Sequence, residues 1–308
     1  MRMMQIYCQY GLFILWGLMT ISTTQAATVT DSRGTHTLQK TPVRPVVLDW
    51  DVLEQVIELD IIPVGATELE SYAEWVVQPA IPPVTENVGT RSEPNLEKIA
   101  SLKPDIIIAT LRQKEILPQL EKIAPVLVYT NFSANVQHAD IAIKQFRQLA
   151  EVFNKTEYAE QKLTTMREKF QQLSVKLHTA FAGQLPEVVT MRFANTTSTF
   201  IYTDNSTVHY VLDQLGLKTA MPLPAEKWGI IQKPIADLQH INDGYVLYIL
   251  PFAEEKILQK SILWQAMPFV RSGHIHSVRS VWSYGGAMSL LYTAEAITES
   301  LLELGSGS

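Results

Sequence analysis

The sequence predicts an α/β protein made of two lobes that are joined by one long helix. Short apolar runs alternate with helical patterns from residue 45 to 129, and the alternation resumes from residue 188 to 302. Short buried strands that alternate with helices form parallel sheets, so each half predicts one lobe. Between the halves, residues 140–182 carry no strand signal and repeat apolar residues at helical spacing.

The first lobe is expected over residues 27–155. Its first helix places Leu53, Val56 and Ile57 on one face, which is typical of a helix packed on a sheet. The predicted elements are, in order, a strand at 45–49, a helix at 51–59, a strand at 62–65, a helix at 95–102, a strand at 105–109, a helix at 114–123 and a strand at 126–129.

The linking helix is expected over residues 156–182, after a break at Asn154–Lys155. A helix of about 25 residues spans roughly 37 Å, which is more than one small lobe needs. The second lobe is expected over residues 183–304. Its predicted elements are strands at 188–193, 199–202 and 245–250, a helix at 206–215, a short segment from residue 277 and a closing helix at 286–302.

The two ends of the chain predict segments that lie outside the fold. Residues 1–26 have the pattern of a cleaved secretory signal: Arg2, an apolar stretch from Tyr10 to Ile21, and small residues up to Ala26. An uncleaved anchor is the alternative. Residues 305–308, Gly-Ser-Gly-Ser, resemble an artificial tail. The only cysteine, Cys8, lies in the signal, so the exported chain is expected to carry no disulfide and to be periplasmic in a Gram-negative bacterium.

Composition and motifs disfavour several functions. The formal net charge of −6 disfavours nucleic acid and anionic lipid as partners. The chain has no G-x-S-x-G elbow, no Walker loop and no G-x-G-x-x-G motif, so it is not expected to be an enzyme. Of seven histidines only His274 and His276 are clustered, and a metal site needs further ligands. We therefore expect no bound metal and no cofactor.

Loop residues of both halves are candidates for a ligand site. Arg91 precedes a helix in the first half, and the second half offers Trp228 before a glycine. Trp282 and Tyr284 are two residues apart, so in an extended segment both rings share one face. Trp75 completes the set. Each also has a simpler interpretation: the tryptophans can be core residues, as we expect for Trp264, and Arg91 can pair with Glu93 or Glu97 at the surface.

Four stretches carry a family resemblance. They are NVGTRSEPNLEKIASLKPD at 87–105, KWG at 227–229, LWQAMPFVRSGHIHSV at 263–278 and VWSYGGAMS at 281–289. Through them nearly all of the exported chain resembles the periplasmic ferric-hydroxamate siderophore-binding proteins. These are the soluble components of iron-uptake ATP-binding-cassette importers. The resemblance implies two Rossmann-like α/β lobes joined by one long inter-lobe helix.

The resemblance also implies a function. The chain would capture an Fe(III)–siderophore between its lobes, as a monomer, and deliver it to an inner-membrane permease with its ATPase. Arg91 would contact the hydroxamate oxygens, while Trp228, Trp282 and Tyr284 would line the cleft and Trp75 would lie at its rim. Glu115 and Asp237 are candidates for docking on permease arginines, although either can be a simple solvated charge.

One position departs from the family pattern. Related chains place a ligand-contacting tyrosine in the loop after the strand at 105–109, and this chain has Leu111 and Arg112 there. Either Arg112 replaces the tyrosine as a donor, or the ligand differs from the usual tris-hydroxamate.

The chemistry of the chelate can be compared with these residues. A ferric tris-hydroxamate core is neutral and mostly methylene outside, which suits aromatic rings and one guanidinium. A tris-catecholate carries three negative charges and needs several buried cations. The sequence therefore favours a hydroxamate or a mixed citrate–hydroxamate ligand. Another iron chelate, haem or a corrinoid remains an alternative, as does a cleft enzyme that handles metal or tetrapyrrole.

Overall fold

The computed structural model describes residues 27–130, 132–242 and 244–305. The predicted signal at 1–26 lies outside the described residues, as does the tail at 306–308. The first part of the chain contains strands β1 (Ala27–Asp31), β2 (Gly34–Leu38), β3 (Pro45–Val47), β4 (Gly65–Ala66), β5 (Glu86–Asn87), β6 (Ile106–Thr110) and β7 (Val126–Tyr129), with helices α1 (Trp50–Glu58), α2 (Leu69–Trp75), α3 (Leu96–Ser101), α4 (Leu117–Leu120) and α5 (His138–Val152).

The first lobe is built on a five-stranded sheet with the strand order β5-β4-β3-β6-β7. Neighbouring strands of this sheet all run parallel. Parallel order is the result expected from strands that alternate with helices, and it brings the loops after β3, β6 and β7 to one edge of the sheet. The hairpin of β1 and β2 is a separate antiparallel pair that the sequence pattern did not predict.

Helix α6 (Thr156–Ala180) follows the first lobe and is 25 residues long. Its apolar face is buried through residues such as Leu163, Phe170 and Leu177. It packs beside α5 and beside the last helix of the chain, α11 (Ala287–Gly305). A single helix of this length between two sheets confirms the predicted fold class. The exact lobe limits, 27–155 and 183–304, remain a prediction.

The second lobe contains strands β8 (Glu187–Phe193), β9 (Ser198–Tyr202), β10 (Lys218–Thr219), β11 (Ile230–Pro234), β12 (Tyr245–Ile249) and β13 (Ile275–Val278). Before α11 its helices are α7 (Thr207–Leu215), α8 (Glu255–Leu258), α9 (Ile262–Gln265) and α10 (Pro268–Arg271). The main strand order is β11-β9-β8-β12-β13, and β10 pairs with the start of β8.

The second sheet is mixed, whereas the sequence pattern predicted parallel units. Strands β8, β12 and β13 are parallel, but β9 and β11 are antiparallel to their neighbours. The reason is the short turn between β8 and β9. The Asn195 side chain accepts hydrogen bonds from the amides of Thr197 and Ser198, at 2.8 and 3.0 Å, and so closes a hairpin. A turn this short can join only antiparallel strands.

The predicted helix at 114–123 is wrong in position and length. The structure has a 3₁₀ turn at Leu111–Ile116 followed by the short α4. The turn starts early because the Thr110 side chain accepts from the amide of Arg112 at 3.3 Å. The Gln113 side chain in turn accepts from the amide of Thr110 at 2.9 Å, which completes a capping box.

A buried carboxyl group joins the two lobes behind the sheets. Glu54 of α1 is fully buried and accepts hydrogen bonds from the amide of Gly286 and from Ser289 Oγ, the latter at 2.6 Å. The Gly286 amide, just before α11, therefore has its hydrogen-bond partner in α1 of the first lobe.

None of the helices in the described ranges combines the length and apolar character that a membrane crossing requires.

Candidate functional site

A cavity of about 470 Å³ lies where loops of both lobes meet. Its volume is in the range typical of small-ligand sites. The first lobe contributes the loops after β3, β6 and β7 and the turn before α3. The second lobe contributes the loops before β11 and after β13. The lining residues are Asp49, Asp51, Arg91, Thr110, Leu111, Arg112, Tyr129, Thr130, Phe132, Lys227, Trp228, Trp282 and Tyr284.

Arg91 lies at this cavity and is held by acidic residues of its own lobe. Its Nε donates to Glu68 Oε2 at 2.8 Å, and its backbone amide donates to Glu68 Oε1 at 2.9 Å. Its Nη1 lies 3.6 Å from Asp49 Oδ1, and its guanidinium carbon lies 3.5 Å from the centre of the Trp50 ring. The pairing with Glu93 or Glu97 considered from the sequence is therefore not the one that forms. These contacts fix the orientation of the guanidinium.

Asp49 connects the two arginines of the cavity. Its Oδ2 accepts from Arg112 Nε at 2.9 Å and from Thr110 Oγ1 at 3.0 Å. Because its Oδ1 faces Arg91, one carboxylate lies between both cations. With Glu68 on the other side of Arg91, the two arginine charges are offset by two carboxylates. The cavity has no unbalanced cluster of positive charge.

The opposite wall is aromatic. The rings of Trp282 and Tyr284 have centroids 5.5 Å apart, as the two-residue spacing predicted. Phe132 packs edge-on against Tyr284 at 5.6 Å and lies 5.4 Å from Trp228. Trp50 packs beneath Trp282 at 5.1 Å. Trp228 is 51% exposed, so its ring lies open at the surface.

The loop that carries Trp228 is held by a small hydrogen-bond network. The side chain of Asn205 accepts from the amide of Glu226 at 3.0 Å and donates to the Glu226 carbonyl at 2.9 Å. The same amide group donates to the carbonyl of Ser133, in the first lobe, at 3.2 Å. Gly229 has φ +67, and a Cβ there would come within 3.0 Å of His138 Nδ1. The loop is thus fixed from both lobes.

Trp75 is not among the cavity-lining residues. Its ring lies under the guanidinium of Arg192, 5.1 Å from ring centre to Cζ, and Arg192 donates to the carbonyl of Val281 at 2.8 Å. Trp75 therefore supports the segment that leads to Trp282. Trp264 is 5% exposed and belongs to the second core, as expected.

The two candidates for permease docking both lie in 3₁₀ turns. Glu115 is exposed in the 3₁₀ turn after β6. Asp237 lies in the 3₁₀ turn Ile235–His240 after β11, and its carboxylate is 3.7 Å from Lys233 Nζ.

The residues of the cavity region that sequence reasoning missed include Asp49, Asp51, Glu68 and Phe132. A signal existed for three of these four. Asp49 lies between β3 and α1, Asp51 lies in the first turn of α1, and Phe132 comes three residues after β7. All three therefore lie just beyond the carboxyl ends of parallel strands. Glu68 had no such signal, because its contact with Arg91 depends on the tertiary structure.

Burial raises the pKa of Tyr129, which lines the cavity, and two further groups at the cavity, Asp51 and Tyr284, have raised pKa values as well. Burial, and then the charge of Asp49, raises the pKa of the Asp51 carboxyl well above its ordinary value. Burial raises the pKa of the Tyr284 hydroxyl, so this phenol stays neutral at physiological pH. Both groups can therefore offer a hydrogen to an oxygen-rich ligand.

The clustered histidines are engaged elsewhere. His274 stacks on Tyr245 with ring centres 4.3 Å apart, and His276 contacts Ser300 Oγ and Glu303 at 3.1 and 3.2 Å. Within the ranges that the structure covers, no three histidine, cysteine, aspartate or glutamate side chains are grouped to hold a metal ion.

Comparison with known proteins gives consistent relatives. The chain is 28% identical to the iron(3+)-hydroxamate-binding protein FhuD of Escherichia coli over 268 residues, which is 86% of this chain and 89% of the relative. It is 30% identical to the Fe(3+) dicitrate-binding periplasmic protein FecB of E. coli over 303 residues, 93% of each chain. These relatives are named as binding proteins.

Solved structures agree with the fold. The structure of FhuD from Vibrio cholerae bound to Fe3+–Desferal superposes with a TM-score of 0.84 and 58% identity, over 85% of this chain and 98% of that one. FeuA of Bacillus subtilis, solved with Ferri-Bacillibactin, has a TM-score of 0.71 at 18% identity over 90% of this chain and 98% of that one, which supports the fold alone. The model of the periplasmic binding protein family matches residues 46–281. With this match, the chain belongs to the periplasmic binding protein family.

Proposed function

We propose that this protein captures a ferric hydroxamate chelate in the cavity between its lobes and delivers it to an inner-membrane ATP-binding-cassette permease. The observation that carries the proposal is the composition of the cavity. Two arginines with offset charges face an aromatic wall of Trp228, Trp282 and Tyr284. The Fe3+–Desferal complex of the V. cholerae protein, at 58% identity, supports the same ligand class.

The charge of the cavity argues for a neutral chelate. Asp49 and Glu68 offset Arg91 and Arg112, and Lys227 lies near the Trp228 ring at 5.2 Å. A ferric tris-hydroxamate needs no net positive charge, and its methylene surface suits the rings. A tris-catecholate brings three negative charges into a site that can offset at most one or two of them. The site therefore disfavours catecholates.

Arg91 and Arg112 would act as donors to the iron-coordinating oxygens. Each arginine uses its Nε for a carboxylate, which leaves terminal guanidinium nitrogens for the ligand. Arg112 occupies the loop in which the family resemblance implied a tyrosine, and it lines the cavity. We therefore propose that Arg112 takes the role of that donor.

A citrate-containing chelate is the second candidate. Arg112 is 46% exposed at its side chain, so it can turn toward a carboxylate that is not bound to iron. The 30% identity to the dicitrate-binding protein FecB, over 93% of both chains, favours the same possibility. A mixed citrate–hydroxamate ligand would use both features of the cavity.

Transport, rather than turnover, is the proposed outcome of binding. The protein would work as a periplasmic monomer, without a cofactor, and would release the chelate unchanged. Glu115 and Asp237, one on each lobe, would pair with arginines of the permease. Asp237 would have to exchange its contact with Lys233 for that interaction.

The proposal is tested by calorimetric titration of the purified protein with a panel of iron complexes. The panel contains a ferric tris-hydroxamate, ferric dicitrate, a ferric tris-catecholate, haem and a corrinoid. We expect a dissociation constant of about 1 μM or lower, near 8 kcal/mol of binding free energy, for the hydroxamate. The catecholate should bind at least about 100-fold more weakly. Preference for the catecholate, haem or corrinoid, or hydrolysis of the chelate, would exclude the proposed function.

A further inference from the structure

We infer that Asp51 is a ligand-contacting residue that holds a proton in the cavity and donates a hydrogen bond to an oxygen of the bound chelate. The inference rests on the proposed function, because it assumes that an oxygen-rich chelate occupies this cavity. It adds a neutral oxygen donor to the two charged donors Arg91 and Arg112.

The position of Asp51 is the first observation. It lies in the first turn of α1 and lines the cavity together with both arginines, although the residue is only 5% exposed. Its Oδ1 accepts from the backbone amide of Val52 at 2.9 Å. In the described parts of the chain, no side-chain donor forms a hydrogen bond with its carboxyl group. A buried polar group beside a cavity therefore has bonding capacity left for a ligand.

The ion pairs of the two arginines are the second observation. Both arginines pair with Asp49 and not with Asp51: Arg112 Nε lies 2.9 Å from Asp49 Oδ2, and Arg91 Nη1 lies 3.6 Å from Asp49 Oδ1. No ion pair within 4.0 Å joins Asp51 to a cation of the described residues. Ionising a buried carboxyl group without a cation is costly, so the neutral acid is the favoured form. The two neighbouring aspartates thus have different roles: one is the anion that orients the arginines, and the other is an acid.

The charges around Asp51 support this assignment. Burial contributes most to the raised pKa of Asp51, and the negative charge of Asp49 adds to it. Arg112 acts in the opposite direction. Glu54, one turn further along α1, is buried as well, and the charge of Asp51 is among the causes of its own raised pKa. Arg91 and Lys227 are the other charged side chains that line the cavity.

A protonated Asp51 suits the ligand chemistry. Its O–H can donate to a hydroxamate oxygen without bringing a negative charge near the electron-rich chelate. An ionised Asp51 would repel the same oxygens and would instead attract a cationic arm of a ligand. The two forms therefore predict different ligand preferences, and this difference can be measured.

The test compares two ferric chelates that differ by one charge. Ferrioxamine B carries a free ammonium group, and the ferric complex of N-acetyldesferrioxamine B does not. Both are titrated into the wild type, Asp51→Asn and Asp51→Ala between pH 5 and pH 8. Asp60→Asn, at a side chain that is 79% exposed, is the control for loss of an acidic residue. Thermal unfolding verifies that each variant is folded.

We expect Asp51→Asn to bind the neutral chelate within about twofold of the wild type at pH 5, because an amide also donates a hydrogen bond. Asp51→Ala should bind about 3- to 10-fold more weakly, the loss typical of one hydrogen bond. Wild-type affinity should fall as pH rises through the raised pKa of Asp51, whereas Asp51→Asn should show no such fall.

Two results would overturn the inference. These are equal affinities of Asp51→Ala and the wild type, and a loss in Asp51→Asn that is confined to ferrioxamine B. The last would show that Asp51 acts as an anion toward the ammonium group. Failure of the wild type to bind either chelate would reject the proposed function itself, and so the two failures are distinguishable.

Discussion

Arg91 is the residue on which the proposed recognition of the chelate most depends. Its guanidinium is oriented by Glu68, Asp49 and the Trp50 ring. A donor that is already oriented loses less conformational entropy on binding than a free surface arginine does. The acidic neighbours thus prepare the donor and at the same time reduce the net charge of the cavity.

We predict that Arg91→Ala weakens binding of a ferric tris-hydroxamate by about 1–3 kcal/mol, the range for a charge-assisted hydrogen-bonding group. Titration calorimetry measures the change. Arg44→Ala is the matched control, because Arg44 donates to the carbonyls of Leu102 and Lys103, away from the cavity. Unfolding curves for both variants separate binding from stability. Unchanged affinity in Arg91→Ala would remove this residue from the site.

Trp228 provides a test of the aromatic wall. Because its ring is half exposed, Trp228→Ala should leave the unfolding temperature nearly unchanged. Binding should weaken by about 1–2 kcal/mol, since the ring would no longer cover the methylene surface of the chelate. Tyr158→Ala is the control, because Tyr158 also has a partly exposed ring but lies on α6, outside the cavity lining. Equal affinities of wild type and Trp228→Ala, measured by calorimetry, would contradict the proposed wall.

The predictability of these residues depended on their local signals. Arg91, Trp282 and Tyr284 were accessible from sequence because turns and glycines flank them. The position of Asp51 after β3 was a signal too, but its role was not accessible, because it depends on a comparison with Asp49 that only the folded arrangement provides. The placement of Trp75 under Arg192 likewise follows from packing between segments far apart in sequence.

At the scale of elements, the contact between α1 and α11 is the main link behind the cavity. Glu54 spans it through Gly286 and Ser289, and Glu58 adds contacts with Tyr292 and with Lys162 of α6. Buried carboxyl groups with hydrogen-bond partners on another element restrict relative motion of the two. This pair of helices therefore holds the floor of the site in place.

We predict that Glu54→Ala lowers the free energy of unfolding by about 1–3 kcal/mol, because the Gly286 amide and the Ser289 hydroxyl lose their partner. Glu54→Gln is the matched control, because its Oε1 can accept from the Gly286 amide and its Nε2 can donate to Ser289 Oγ. Chemical denaturation measures both. A stability of Glu54→Ala equal to that of Glu54→Gln would show that the link does not contribute.

The difference in unfolding free energy between Glu54→Gln and the wild type is predicted to depend on pH. Burial raises the pKa of Glu54 well above its value in the unfolded chain, so the folded state holds this proton to higher pH. The contribution of Glu54 is therefore complete below the unfolded pKa and is lost as pH rises through the folded pKa. Glu54→Gln has no such loss. Its stability relative to wild type should increase between pH 5 and pH 8, and a constant difference would contradict the raised pKa.

Element boundaries show where sequence patterns were sufficient. Helix α6 was predicted nearly to the residue, because 25 residues of helical spacing leave little ambiguity. The segment after β6 was predicted wrongly. Thr110 and Gln113 form a capping box there, and it begins a 3₁₀ turn ahead of the expected helix. Side-chain hydrogen bonds of this kind compete with the regular helix that the apolar periodicity predicts.

At the scale of the whole molecule, the described residues combine two large sheets and the β1–β2 hairpin with one long connecting helix and a common core. The largest apolar cluster includes Leu53 of the first lobe, Phe170 of α6 and Ile297 of α11. Alternation of strands and helices predicted the parallel first sheet. It did not predict the mixed second sheet, because strand direction there is decided by a hairpin that only turn chemistry reveals.

A shared core and a rigid connecting helix predict a small conformational change on binding. The radius of gyration from small-angle X-ray scattering should change by less than about 1 Å when a saturating ferric tris-hydroxamate is added, as expected for partners that are already organised. The ligand-free protein at matched concentration is the reference. A decrease of several ångströms would indicate wide hinge closure and would contradict the role given to α6 and α11.

The most direct test of the central claim is the position of iron in crystals of the loaded protein. Anomalous diffraction at the iron edge should give one strong peak in the cavity, about 4–5 Å from the terminal nitrogens of Arg91, as one hydrogen bond plus one iron–oxygen bond requires. The rings of Trp228, Trp282 and Tyr284 should surround it. A peak outside this cavity, or a loaded protein in which Arg91 contacts only Glu68 and Asp49, would contradict the account.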